Sequence, residues 1–442
     1  MKTIDRERVQ KLTEVEEERY VEEHPKSQEM FERAKGSLLG GVPMSWMLRW
    51  PGPFPIFMKE ASGVHLDDVD GHRYLDMCLG DTGSFFGHSP KPVVEAIRSK
   101  ASSGIASMMP TEDCIYVGEE LARRFGLPYW QVYMTASDAN RFALRVSRQV
   151  TKRKLILVFN GCYHGSIDDT LVNYRRTRIL ANPPDLEETT RVVEFNDLDA
   201  LEKALAPGDI ACVLAEPQMT NVGIIPPIDG WHDALRDLTH RYGTLIINDE
   251  THTICAGPAG LTGAWNLEPD IVTFGKPVAG GFPAAVMGLS QDVVDRFMVG
   301  LPREWSMGLG GTLSGNPLAV VALRANLEHV MTKEAFDHMI PLAKRLNNGI
   351  DKVIKDYDLP WYVHHFGARV EYRFRKVPPT NGTEAIAAYD DELDKLVHLY
   401  LTNRGVIITP LHTMMLTSIE TAESDIDFHN KLFIDFVEGL LG

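Results

Sequence analysis

Apolar positions in the first thirty residues are sparse and helically spaced: Leu12, Val15, Tyr20 and Val21 stand among glutamates and lysines. That spacing predicts a charged amphipathic helix lying on a neighbouring lobe or subunit. Gly40-Gly41 and the prolines between Pro51 and Pro55 break the chain. Ile56–Lys59 and Val64–Asp67 then read as an antiparallel hairpin, with Val69–His72 as a turn before Arg73–Met77. From about residue 90 helical and strand patterns alternate. Val93–Lys100, Cys114–Phe125, Ser137–Gln149, Ala200–Ala206 and Trp231–Tyr242 have helical spacing. Gln131–Met134, Leu155–Phe159, Ala211–Ala215, Thr244–Ile247 and Ile271–Phe274 are short apolar runs, as buried parallel strands are. This alternation predicts an α/β lobe with a mostly parallel sheet. After Pro317 a long helix over Leu318–Met331 is expected to lead into a second, α+β lobe. The expected division is 1–85 for the N-terminal helix and hairpin, 86–317 for the α/β domain and 318–442 for the C-terminal part.

Ligands of open α/β sheets collect at the carboxyl ends of the strands, so the residues following each apolar run carry the functional reading. They are Thr135-Ala-Ser-Asp-Ala-Asn140, Asn160-Gly-Cys-Tyr-His-Gly165, Glu216-Pro217, Asn248-Asp249-Glu250 and Lys276 with the glycine-rich stretch behind it. Lys276 ends an apolar strand, which suits an amine nucleophile that forms Schiff bases. Asp249, at the end of another strand, suits pairing with a protonated ring nitrogen. Ala136 and Ser137 open a helix, where backbone N–H groups and a hydroxyl make a seat for phosphate. Tyr163, flanked by Gly161 and Gly165, can lie flat against a ring.

Composition narrows the setting. The 442 residues carry a formal net charge of −16, with 44% hydrophobic and 24% charged residues, ordinary for a globular chain. So acidic a chain is a poor partner for nucleic acid or an anionic membrane. The five cysteines are scattered and form no C-x-x-C, which excludes a disulfide framework or a thiolate zinc site as the organising device. With no leader-like segment and no apolar run near ~18 residues, a cytoplasmic setting is expected. No histidine triad has recognisable ligand spacing, so no metal is expected. No G-x-G-x-x-G follows an early strand, which counts against a nicotinamide enzyme.

The ordered set T-A-S-D-A-N, G-C-Y-H-G, A-E-P, N-D-E-T, F-G-K-P-V-A-G-G-F-P and G-G-T-L-S-G-N-P-L-A resembles the class III pyridoxal-phosphate (PLP) aminotransferases, in the branch holding glutamate-1-semialdehyde aminomutase and the β-amino-acid transaminases. The resemblance runs from near residue 40 to the final E-S-D-I-D. It implies fold type I: a PLP-binding α/β domain with a mostly parallel sheet and a smaller α+β domain built from the N- and C-terminal segments. It implies that Lys276 forms the Schiff base and shuttles the proton, and that Asp249 pairs with the pyridine nitrogen. It implies Ala136 and Ser137 at the phosphate, Tyr163 and Thr251 on the two ring faces, and Glu216 and Asn221 lining the site. Thr312 matches a residue that reaches the phosphate from a partner subunit, which implies a homodimer with shared sites.

The sequence departs from the family most where the substrate would lie. Relatives often carry an arginine just after G-G-V to grip a carboxylate; here the aligned positions fall near Ser45–Met47 and Arg49 is displaced by about two residues. Trp46, Met47, Phe86 and Met414 suggest an apolar or aromatic pocket, with Arg49 or His412 as carboxylate partner. The expected activity is a transaminase moving nitrogen from a bulky or aromatic amine, or a β-amino acid, to a keto acid such as pyruvate. The alternatives are an aminomutase of the glutamate-1-semialdehyde type and a noncatalytic scaffold on the same fold.

Overall fold

The computed structural model describes residues 3–171, 188–299, 308–410 and 412–442. It contains two compact units. The smaller holds Met1–Ser89, Asp337–Pro378 and Ala388–Gly442, and the larger Pro90–Phe336 and Pro379–Ala387. In chain order the strands are β1 (Met58–Ser62), β2 (His65–Asp68) and β3 (Arg73–Asp76); then β4 (Tyr129–Tyr133), β5 (Leu155–Phe159), β6 (Thr190–Val193), β7 (Ile210–Ala215), β8 (Leu245–Asp249), β9 (Ile271–Phe274) and β10 (Ala285–Leu289); then β11 (Tyr362–Phe366), β12 (Arg369–Arg373), β13 (Val406–Ile407) and β14 (Met414–Leu416).

The larger unit is built on a seven-stranded sheet of order β4-β10-β9-β8-β7-β5-β6. Strands β5 to β9 run parallel, and β10 is antiparallel to both its neighbours. Every residue of β7, β8, β9 and β10 is buried, as expected for strands covered on both faces. Ile156, Val158, Leu214 and Ile247 share one core with Phe142 and Val146, each worth about 1.5–3 kcal/mol of burial. The last two come from the helix Ala136–Thr151, whose buried Ala139, Phe142, Ala143 and Val146 recur at helical spacing. Thr135 caps that helix by accepting the Asp138 N–H at 3.1 Å, and Lys152, in the left-handed conformation, ends it.

Two strands of this sheet carry little sequence signal. β6 is an edge strand with Arg191 in its middle. β10 contains Gly288, which reads as a break. Its register opposite Trp130 explains the glycine, because a Cβ there would lie 2.6 Å from the indole ring. The expected strand over Gln131–Met134 begins earlier and stops at Tyr133. The helix after Pro317 spans Pro317–His329 and packs on the helices Lys91–Ala101 and Asp113–Phe125. It therefore falls within the larger unit, which continues to Phe336, whereas the sequence reading divided the chain at 317.

The smaller unit holds two sheets, β1-β2-β3-β13 and β11-β12-β14. Its first sheet joins distant parts of the chain, with β13 parallel to β3 and Val406 opposite Leu75. The N-terminal helix Arg6–Glu23 docks here through Val9, Tyr20 and the buried Glu16, whose carboxylate meets Arg404 at 2.8 Å and Asn403 at 2.8 Å. No helix among the described residues is long and apolar enough to cross a membrane.

Candidate active site

The carboxyl ends of β5, β7, β8 and β9 deliver polar residues to one edge of the larger sheet. Asp249 closes β8 opposite Thr273 of β9, three residues before Lys276. Its buried carboxylate accepts from His164 Nδ1 at 2.9 Å, Asn140 Nδ2 at 2.8 Å and the Thr251 N–H at 3.0 Å. Burial alone would push this carboxyl up, but the His164 hydrogen bond and charge, with the Thr251 donors, bring it below the usual carboxylate range. Asp249 is therefore ionised at neutral pH. Asn140 also donates to the His164 carbonyl at 3.0 Å and accepts from the Thr273 hydroxyl, so one amide ties the first helical turns to the loop after β5 and to strands β8 and β9.

Lys276 follows Gly275, and its own φ of 46° lies in the left-handed region, a sparsely populated place for a side chain to be held. Gly275 is close against the start of the helix, since a Cβ there would lie 3.1 Å from the Ala136 nitrogen. That approach places Lys276 beside the Ala136–Ser137 seat. Behind it, buried Asn326 donates to the Pro277 and Val278 carbonyls at 3.0 and 2.9 Å, fixing the loop. The Lys276 Nζ lies 2.7 Å from His252 Nε2.

Ser137 Oγ accepts the Ser166 N–H at 3.0 Å, which leaves its O–H to donate elsewhere. Gly165 is required at this contact, having a φ of 95° and room for no Cβ, which would lie 2.3 Å from Ser137 Oγ. Tyr163, in the same loop, has its hydroxyl 3.1 Å from Ser166 Oγ. Asn221 donates to the Gly161 carbonyl at 3.0 Å, so the segment after β7 packs on this loop. Buried Glu216 is held by the Thr220 hydroxyl and N–H, and burial raises its carboxyl above the usual range. Thr251 is buried beside Asp249.

The structure thus brings together Ala136, Ser137, Tyr163, Glu216, Asn221, Asp249, Thr251 and Lys276 within the larger unit. Thr312 is exposed in a glycine-rich turn of that unit, and no hydrogen bond or ion pair joins it to the others among the described residues. The proposed substrate residues Trp46, Met47, Arg49, Phe86, His412 and Met414 lie in the smaller unit. Trp46, Met47 and Arg49 share a short 3-10 turn, with the Arg49 guanidinium 5.9 Å from the Trp46 ring centre. Phe86 is buried against Phe85, with ring centres 4.9 Å apart, and Met414 is wholly buried in β14. His412 Nδ1 contacts Glu371 Oε1 at 3.1 Å. Burial would raise Glu371, yet Arg373, His412 and Arg369 hold it well below the carboxylate range.

Sequence reading passed over Asn140, His164 and His252. Asn140 and His164 stand inside the quoted motifs, but their partners come from other strands. The histidines read as solvated or site-edge residues, whereas His164 is buried and its Nε2 has no hydrogen-bond partner among the described residues.

Comparison with known proteins agrees with this geometry. The family model described as Aminotransferase class-III matches residues 47–424. The chain belongs to the class III aminotransferase family. A glutamate-1-semialdehyde 2,1-aminomutase from Chloroflexus aggregans is 32% identical over 433 residues, covering 93% of this chain and 97% of the relative. A crystal structure of a glutamate-1-semialdehyde-aminomutase from Pseudomonas aeruginosa PAO1 superposes with a TM-score of 0.96 at 46% identity, covering 99% of each chain. A variant of a glutamate-1-semialdehyde-aminomutase from that organism, solved in complex with PMP, has the same TM-score at 45% identity and 99% coverage of each chain. A β-phenylalanine aminotransferase from Variovorax paradoxus reaches 0.87 at 25% identity, covering 98% of each chain. The class III fold is fold type I, as the sequence resemblance implied.

Proposed function

We propose that the chain is a PLP-dependent amino-group-transfer enzyme in which Lys276 is the cofactor lysine and proton carrier. The observation that carries this reading is the ionised, buried Asp249, held by three hydrogen bonds on the strand next to β9, which ends two residues before Lys276. A buried carboxylate of this kind suits a protonated pyridine nitrogen. Gly165, with no room for a Cβ, and Gly275, where one would be tight, shape a close-fitting cradle beside Ser137 and Ala136. These features fit PLP, and the PMP complex of the Pseudomonas relative supports the assignment.

When bound, PLP supplies an electrophilic carbonyl and an electron sink for the electrons of the bond broken next to the amine. Asp249 holds the ring nitrogen protonated, and His164 and Asn140 hold Asp249 in place. The Ser137 hydroxyl and the Ala136 N–H bind phosphate. Tyr163 and Thr251 would bound the two ring faces, and Glu216 and Asn221 would line the site. Lys276 Nζ would accept the proton that leaves the substrate carbon and hold it for return. Thr312 reaches the phosphate of a partner subunit, so the working unit is a homodimer. All five cysteines are free, which fits a cytoplasmic setting.

Two finer readings follow. The relatives support an aminomutase, which moves nitrogen from C2 to C1 of one molecule, better than the transaminase favoured by the sequence. The Trp46-Met47-Leu48-Arg49 turn favours a transaminase, because Arg49 is displaced from the usual carboxylate-gripping place and stacks on an indole. There a bulky amine or β-amino acid would be the donor and pyruvate the acceptor, with Phe86, His412 and Met414 as further substrate-side residues. Glutamate-1-semialdehyde supplied alone separates them: isomer formation with no keto acid establishes the aminomutase. Turnover only of an aromatic amine with pyruvate establishes the transaminase.

A further inference from the structure

The contact between His252 and Lys276 joins two rigidly held groups. His252 lies in the loop after β8, and that loop is built around the buried carboxylate of Glu250. This carboxylate accepts the Thr253 hydroxyl at 2.6 Å and the Leu261 and Thr262 N–H groups at 3.1 and 2.5 Å. The loop closes so tightly on it that a Cβ on Gly260, at φ 59°, would lie 2.0 Å from Glu250 Oε2. The Glu250 N–H is bonded to the Thr273 carbonyl at 2.8 Å, which ties the loop to the strand leading to Lys276. On the other side, the left-handed backbone of Lys276 and the grip of Asn326 fix the lysine loop. Nothing in this arrangement needs a side chain to swing before the two nitrogens meet at 2.7 Å.

Nitrogen chemistry decides the direction of the bond. An ammonium has three donors and no acceptor, so a charged Lys276 can meet Nε2 only at its lone pair. The pair then holds one proton that either nitrogen can carry. We infer that His252 is the proton-accepting and positioning partner of Lys276, an inference that rests on Lys276 being the cofactor lysine. When Lys276 becomes a nucleophile its N–H bond breaks, the proton goes to His252 Nε2, and the electron pair stays on Nζ. The reverse transfer re-forms the ammonium, and no other reactant is consumed.

The test uses the apo-protein. PLP is mixed with wild type, His252→Gln and His252→Ala, and covalent capture is followed by the rise in visible absorbance. Glutamine can bond to Lys276 but cannot take its proton. Both variants are expected to capture PLP ~10²-fold more slowly, and added imidazole is expected to restore the rate of His252→Ala but not of His252→Gln. Capture at the wild-type rate by either variant overturns the inference. So does slow capture that imidazole leaves unchanged, because that marks a purely structural role. Borohydride reduction of PLP-loaded wild type, followed by peptide mapping, tests the underlying reading separately. Cofactor fixed to a lysine other than Lys276 would overturn that reading whatever the variants do.

Discussion

Neither Asp249 nor Lys276 was a strong signal alone, but as members of an ordered set placed after apolar runs they were proposed for the site. Asn140 and His164 were not, because what they do depends on partners brought from other strands by the fold. Asp249→Asn keeps the shape and removes the charge that would hold a ring nitrogen protonated. Steady-state kinetics should show kcat lower by ~10²-fold or more, and unchanged kcat would remove Asp249 from the chemistry. A second residue governs stability against pH. Burial pushes the Asp394 carboxyl up to about 7, although Arg373 opposes the shift. Between roughly pH 4, where an exposed aspartate ionises, and about 7 the folded chain holds a proton that the unfolded chain has released. This contribution is therefore present below that window and lost as pH rises through it. The thermal midpoint should fall between about pH 5 and about pH 8 through this group, and Asp394→Asn should flatten that part of the profile.

At the scale of elements, the parallel strands were legible because burial on both faces makes them continuous apolar runs. β5 and β9 were bounded to the residue. β10 escaped because glycine inside a strand reads as punctuation, and only the register with β4 shows Trp130 filling the space a side chain would need. Gly288→Ala should therefore destabilise by about 1–3 kcal/mol in urea unfolding. Trp130→Ala in the same chain should remove much of the added penalty, since the two residues touch. Additive losses would show that the indole is not the obstacle.

At the scale of the molecule, helix and strand alternation made the larger unit legible as α/β. The interleaving of the smaller unit was implied by the family resemblance and not by local pattern. Its defining contacts, β13 beside β3 and Glu16 on Arg404, join residues more than three hundred positions apart. Thr312 carries the corresponding claim about assembly. If it serves the partner's site, mixed dimers of Lys276→Ala and Thr312→Ala subunits contain one intact site. Mixing and re-equilibrating the two weakened proteins should then restore turnover, and failure to do so in a sample shown by light scattering to be dimeric would place Thr312 outside the site.

The visible spectrum of the PLP-loaded protein, taken before and after an amino donor is added without acceptor, bears most directly on amino-group transfer at Lys276. A protein-dependent band that the donor bleaches, and that Lys276→Ala lacks, is the expected result. A wild-type protein saturated with PLP that shows no such band, or keeps it unchanged with glutamate-1-semialdehyde, aromatic amines and β-amino acids alike, would contradict the assignment.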